Sequence, residues 1–230
     1  MAGHHAARRQ IAEEAARLLQ ARDDLAWSQA MMQAAHSLFP SGFPERFLPG
    51  RDDVRRAVVQ MPRTKPEVAW PERFAEYVTL LKPLADVRQD PATHPEGDAL
   101  YHSLQVFVLA EEALPYDEEF QTASLLHDIG LAIDRKQPVE AALEALEGLV
   151  TPRTLWLVEH VPTAHAKKAG LLGARGRRRL DEHADREELM QLAECDLRGR
   201  KRGAEVPEAE EAVERLARLC ELDDDLELAG

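Results

Sequence analysis

Apolar residues recur along this chain at spacings of three and four, the period of helices that bury one side. From Ala6 to Leu38 the stripe runs through Ile11, Ala15, Leu18, Leu25 and Ala26. Three prolines between Phe39 and Pro49 predict a loop, and Arg51 to Gln60 a short helix before Pro62. Pro71 is well placed to open a helix through Phe74, Tyr77, Val78 and Leu81. After a loop at 91–97, Leu100 to Ala113 is apolar almost all round, as in a buried central helix. Asp117 can cap the next helix, with Glu118 and Glu119 in its first turn and Phe120, Ala123, Ser124 and His127 along one face.

The pattern resumes at Pro138, runs through Leu143 and Leu146, and stops at Gly148 as a helix-ending glycine. Thr151-Pro152 starts another helix, with Leu155, Trp156 and Val158 inward, expected to end near Pro162. Residues 167–179 are basic and glycine-containing and read as a loop. Helices follow from Glu187 to Leu197 and from Pro207 through Val213, Leu216, Ala217 and Cys220, before an acidic tail. There is no internal repeat and no strand-length alternation. The expected fold is therefore all-α: an N-terminal helical arm over 1–65, a helical core over 66–222 and a tail over 223–230.

Length and charge narrow the function. A chain of 230 residues fits one large domain, or one domain with an appended element. A net charge of −13 argues against a generally basic nucleic-acid binder but not against a local basic patch. Two cysteines give no disulfide framework, which fits a reducing cytoplasm. No apolar run reaches the ~18 residues of a membrane span, and the start lacks a signal-peptide core. A cytoplasmic protein without a membrane partner is expected.

The chemistry sits in two segments, Tyr101-His102-Ser103-Leu104 and Ser124-Leu125-Leu126-His127-Asp128-Ile129-Gly130. A His-Asp pair in an apolar helical setting needs a cation partner or a metal, because an unpaired buried carboxylate is costly. Asp196 lies on another apolar face, with Leu189, Leu192 and Ala193. Imidazoles and carboxylates gathered from three helices suit Mn, Fe, Co, Ni or Zn, and Mg less well.

The ordered set of His102, then His127-Asp128, then Asp196 resembles the HD superfamily of metal-dependent phosphohydrolases. Within it, the chain looks most like the HD domain of bacterial CCA-adding tRNA nucleotidyltransferases. Three stretches carry the likeness: His94-Pro95-Glu96-Gly97-Asp98 leading to His102; Thr122 to Gly130; and Ala193-Glu194-Cys195-Asp196-Leu197-Arg198-Gly199-Arg200. The resemblance implies an all-helical HD-like bundle with His102, His127, Asp128 and Asp196 as metal ligands. It does not imply nucleotidyl transfer, since nothing in residues 1–90 reads as a nucleotidyltransferase domain.

Two departures bear on activity. Leu131 stands where many relatives carry Lys and some a catalytic Glu, and the region after Asp134 lacks the His-rich segment of two-metal members. His160 and His165 remain as candidate second-metal ligands. Asp134 and Asp98 are candidate acids beside the ligands, with helix capping or turn formation as their alternative.

Phosphate needs cations. Lys167, Lys168, Arg175, Arg177, Arg178 and Arg179 form a run free of acids, and Arg198 and Arg200 follow Asp196. The expected function is hydrolysis of a phosphomonoester or phosphodiester through metal-activated water, with a small phosphorylated substrate, such as a nucleotide or an RNA end, as the partner. The alternatives are a non-catalytic metal- or nucleotide-binding module and a di-iron oxygenase.

Overall fold

The computed structural model describes residues 2–22, 25–40, 42–60, 66, 68 and 70–228, with side chains over 6–22, 25–40, 42–58, 66, 68 and 72–221. In chain order the helices are α1 (Ala2–Ala21), α2 (Trp27–Leu38), α3 (Arg51–Gln60), α4 (Trp70–Leu81), α5 (Ala99–Ala113), α6 (Glu118–Leu126), α7 (Gly130–Ile133), α8 (Pro138–Leu146), α9 (Pro152–Lys168), α10 (Ala174–Asp181), α11 (Arg186–Arg198) and α12 (Ala209–Leu228). Short 3-10 turns occupy Glu45–Phe47 and Lys82–Asp86. Among the described residues the only strand-like pairing is an isolated bridge between Arg88 and Asp98. The fold is all-α, and no described helix is long and apolar enough to cross a membrane.

The chain divides into two compact units, Met1–Arg63 with Ala169–Glu187, and Thr64–Lys168 with Glu188–Gly230. In the first, α1 packs on α2 and α3. Its core is small-residue rich, with Ile11, Ala15, Ala16, Ala30, Ala34 and Val54 essentially shut off from water. Alanines let helix axes approach closely, so the narrow stripe read from the sequence suffices. Segment 169–187, expected inside the core domain, belongs to this unit instead. It is not simply a loop: α10 buries Leu180, and Arg51 donates to the His183 carbonyl (2.6 Å).

In the second unit α5 is the central helix, buried at Ala99, at His102 through Phe107 and at Ala110. It packs on α6 and α12, and α6 in turn packs on α9. Asp98 and Asp117 cap α5 and α6 through the amides of Tyr101 (2.9 Å) and Phe120 (3.1 Å). Gly148 ends the α8 segment with φ +74°.

Two helix ends differ from expectation. Pro162 does not stop α9, which continues to Lys168. A proline costs a helix one hydrogen bond and a contact with the preceding turn. Here its ring is on the exposed side, while Trp156, Leu157, Val158, Val161 and Ala164 bury the opposite face and hold the helix together. The acidic tail expected from 223 is helical to Leu228, as the last part of α12.

Candidate metal centre

The site is assembled in the second unit from the loop before α5, from α5, from the turn after α6 and from the ends of α9 and α11. His102 is 1% exposed, and its Nε2 faces Asp196 Oδ1 at 3.2 Å. His127 and Asp128 lie just beyond the last residue of α6, in a tight turn leading to α7. That turn resolves a steric problem, because adjacent residues inside a helix point about 100° apart. Leaving the helix lets both approach one point.

Glycine makes the turn possible. A Cβ on Gly130 would fall 1.7 Å from the Pro138 carbonyl oxygen. At Gly199, just past the end of α11, a Cβ would meet Val106 Cγ2 at 2.8 Å and Val106 N at 3.2 Å. Each glycine lets a ligand-bearing segment press against a neighbouring backbone.

The segment after Asp196 is also clasped to α5. The Gln105 side chain donates to the Lys201 carbonyl (2.9 Å) and accepts from its amide (3.2 Å), like an extra peptide group. Tyr101 Oη donates to the Ala204 carbonyl (2.6 Å), and Arg202 donates to the Pro95 carbonyl (2.8 Å).

Among the described residues two groups of ligand-type side chains result, each with its candidate atoms within 4.8 Å of one another: His102, His127 and Asp128, and His94, His102 and Asp196. They share His102. Each imidazole has Nδ1 engaged. His127 Nδ1 donates to the Ser124 carbonyl (2.8 Å), His102 Nδ1 to the Gly199 carbonyl (3.3 Å), and His94 Nδ1 is bonded to the Thr93 hydroxyl (3.0 Å). Of the Nε2 atoms, that of His102 points at Asp196 Oδ1 (3.2 Å), and that of His127 is left for an ion. His127 Nε2 is buried with no hydrogen-bond partner, the feature that best fits a role as a cation ligand. Asp128 keeps one long contact, from the Gln89 amide at 3.4 Å.

No protein-family model and no curated protein matches this chain.

The electrostatics centre on Asp196. Burial opposes its charge, yet hydrogen bonds from His102 and His165 and the positive fields of His127 and His102 hold its carboxyl far below the usual carboxylate range. His165 Nε2 approaches Asp196 Oδ2 to 2.5 Å, and Arg200 donates to Oδ1 through Nη2 (2.7 Å) and Nε (3.2 Å). Burial alone would lower the His102 pKa, but the Asp196 hydrogen bond and the charges of Asp128, Asp196 and Glu96 raise it. His94 is lowered, by burial first and then by the charges of Arg200 and His102.

The other candidate residues separate clearly. His165 is at the site, on the Asp196 carboxylate. His160 instead stacks on Trp156 (4.6 Å between ring centres) and donates to the Trp156 carbonyl (3.0 Å). Asp98 is a helix cap, and Asp134 is exposed and accepts from the Lys136 amide (2.8 Å) in a turn. Arg200 is at the site as an Asp196 partner, whereas Arg198 is exposed on α11. Lys168 pairs with Glu194, and Arg178 pairs with Glu182 (3.0 Å). Lys167 is half-buried near the end of α9, and Arg177 is exposed on α10. Sequence reasoning gave no ligand role to His94, although it stands in the very stretch that carried the family likeness. The adjoining Thr93 hydroxyl, able to fix the ring, was the available signal.

Proposed function

We propose that the second unit is a metal-dependent phosphohydrolase acting on a nucleotide-like phosphomonoester or phosphodiester. The observation that carries this reading is the convergence of His94, His102, His127, Asp128 and Asp196, with one buried imidazole nitrogen lacking a partner. Neutral imidazole and carboxylate oxygen together match a first-row divalent ion. His102, His127, Asp128 and Asp196 would hold it, with His94 completing the set. Such an ion supplies Lewis acidity toward a phosphoryl oxygen and toward water.

The chain's own residues then divide the work. Arg200 places a guanidinium beside the ligand carboxylate, where a phosphoryl oxygen can be clamped. His165, 27% exposed at its side chain and bonded to Asp196, is positioned to exchange a proton with solvent or a leaving group. Leu131 supplies neither charge nor proton.

The test is a phosphatase screen of the chelator-treated chain reloaded separately with Mn, Fe, Co, Ni, Zn and Mg. Substrates should span nucleoside monophosphates, cyclic nucleotides, sugar phosphates and RNA ends. Turnover with at least one ion, lost in Asp128→Ala, is expected. Tight metal binding without turnover on any class would leave a non-catalytic binding module.

A further inference from the structure

We propose that Glu96 is a positioning residue that holds the proton of His102 on Nδ1 and so presents Nε2 to the ion. The proposal rests on the metal-centre reading above. The Glu96 side chain is 0% exposed, and neither carboxylate oxygen has an aligned hydrogen bond among the described residues. A buried carboxylate without a donor is costly and calls for a compensating role. The polar atom it approaches is His102 Nδ1, at 2.8 Å from Oε1.

Nδ1 of His102 therefore has two oxygens beside it: the Gly199 carbonyl, which accepts its hydrogen bond, and Glu96 Oε1, close by but not aligned. The carbonyl can only accept, and so can Glu96 as a carboxylate, so both favour the proton on Nδ1. The carbonyl alone would set the tautomer, as the Ser124 carbonyl does for His127. What the carboxylate adds is negative charge beside the ring, which makes an imidazole a stronger ligand. His102 is the one imidazole of the three with a carboxylate at its Nδ1. It is also the residue shared by both ligand groups. The charge is placed where it acts on the whole centre.

The experiment is calorimetric titration of Mn²⁺ into the full chelator-treated chain, for wild type, Glu96→Gln and Glu96→Ala. Thermal unfolding of the same metal-free samples and the visible spectrum of the Co²⁺ forms accompany it. Roughly 10–100-fold weaker Mn²⁺ binding by the variants is expected. The metal-free melting temperature should be unchanged or higher, since the variants remove an unsatisfied buried carboxylate. The Co²⁺ spectrum of Glu96→Gln should keep the wild-type shape, because the ligands are the same. Wild type that binds no ion would sink the metal reading itself. Wild type that binds, with variants equal to it, would overturn only the role of Glu96. Weaker binding together with a lowered metal-free melting temperature would mark Glu96 as merely structural. A changed Co²⁺ spectrum would make it a ligand. Should Glu96→Ala not fold, Glu96→Gln carries the test alone.

Discussion

Gly199 lies so close to Val106 that a single added methyl group would sit 2.8 Å from Val106 Cγ2 and 3.2 Å from the Val106 amide nitrogen. The contact is the point where the segment after Asp196 meets the helix that carries His102. Gly199→Ala should therefore do two things. Overpacking of this kind costs about 1–3 kcal/mol, measurable by chemical denaturation. It should also push the Gly199 carbonyl off His102 Nδ1 and weaken metal binding. A variant with the lowered stability but unchanged metal affinity would mean that this carbonyl does not orient the ligand.

Metal content gives the next prediction. The two ligand groups share His102, so one tightly held ion per chain is expected. Asp128→Ala should abolish tight binding and cost the metal-free chain little, because its side chain is 23% exposed and its contacts with the Gln89 amide (3.4 Å) and His127 Nε2 (3.7 Å) are long. Asp196→Ala should be the more destabilising variant, on the order of 3 kcal/mol. It strands the fully buried His102 and leaves Arg200 and His165 without their partner. His94→Ala should weaken binding without abolishing it. Elemental analysis after dialysis, paired with denaturation of metal-free samples, checks all three. Two retained ions per chain would revive the di-iron alternative, and a His165→Ala variant would then show whether the second is held beside Asp196.

The metal-free chain should have a pH-dependent stability with a definite sign. Asp196 is depressed below its ordinary 3.8, so its contribution is present above that value and is lost only in strong acid, as pH falls through the folded value. His102 is raised above 6.5, so its contribution is complete below 6.5 and is lost as pH rises through the higher folded value. Stability should accordingly fall as pH rises from 6.5 through the His102 transition, after His94, whose value is lowered, has given its opposing gain below 6.5. Glu118, raised chiefly by burial, loses stability in the same direction as pH rises from 4.5 through its folded value. His102→Gln should flatten the neutral-to-alkaline part only. An unchanged slope in that variant would assign the effect elsewhere.

Much of this architecture can be read from residue order, and the exceptions have physical causes. Period and capping residues locate α3, α5, α6 and α8 to within a residue or two, because Asp117, Pro138 and Gly148 act locally. The continuation of α9 through Pro162 could not be read that way. It depends on Val161 and Ala164 being buried by neighbours, a tertiary effect. The same holds for α10, whose arginines disguise a helix anchored by Leu180. At the site, the residues of the His-Asp pattern are brought together with Asp196, but His94 and Glu96 belong to a loop. Their role depends on where that loop folds back, which no helical period encodes. Asp98 and Asp134 show the opposite case, acidic residues whose local jobs, a cap and a turn, account for them fully.

The last prediction separates two sets of arginines. Arg200 touches a ligand carboxylate, and its positive charge disfavours a divalent ion there while offering a clamp for phosphate. Arg200→Ala should thus bind Mn²⁺ more tightly than wild type yet turn over more slowly, by roughly 10²-fold if the guanidinium meets the phosphoryl group in the transition state. Arg177, Arg178 and Arg179 lie on α10, where Arg178 is already paired with Glu182. Replacing the three with Ala should leave turnover at saturation unchanged. If α10 gathers anionic substrate, the change should raise KM and lessen its dependence on salt, because exposed charges act through long-range attraction that ions screen. Steady-state kinetics at two ionic strengths reads both effects. Equal KM and equal salt dependence in the triple variant would reduce α10 to a solvated helix. Capture of the phosphorylated substrate would then fall to Arg200 and the residues around Asp196.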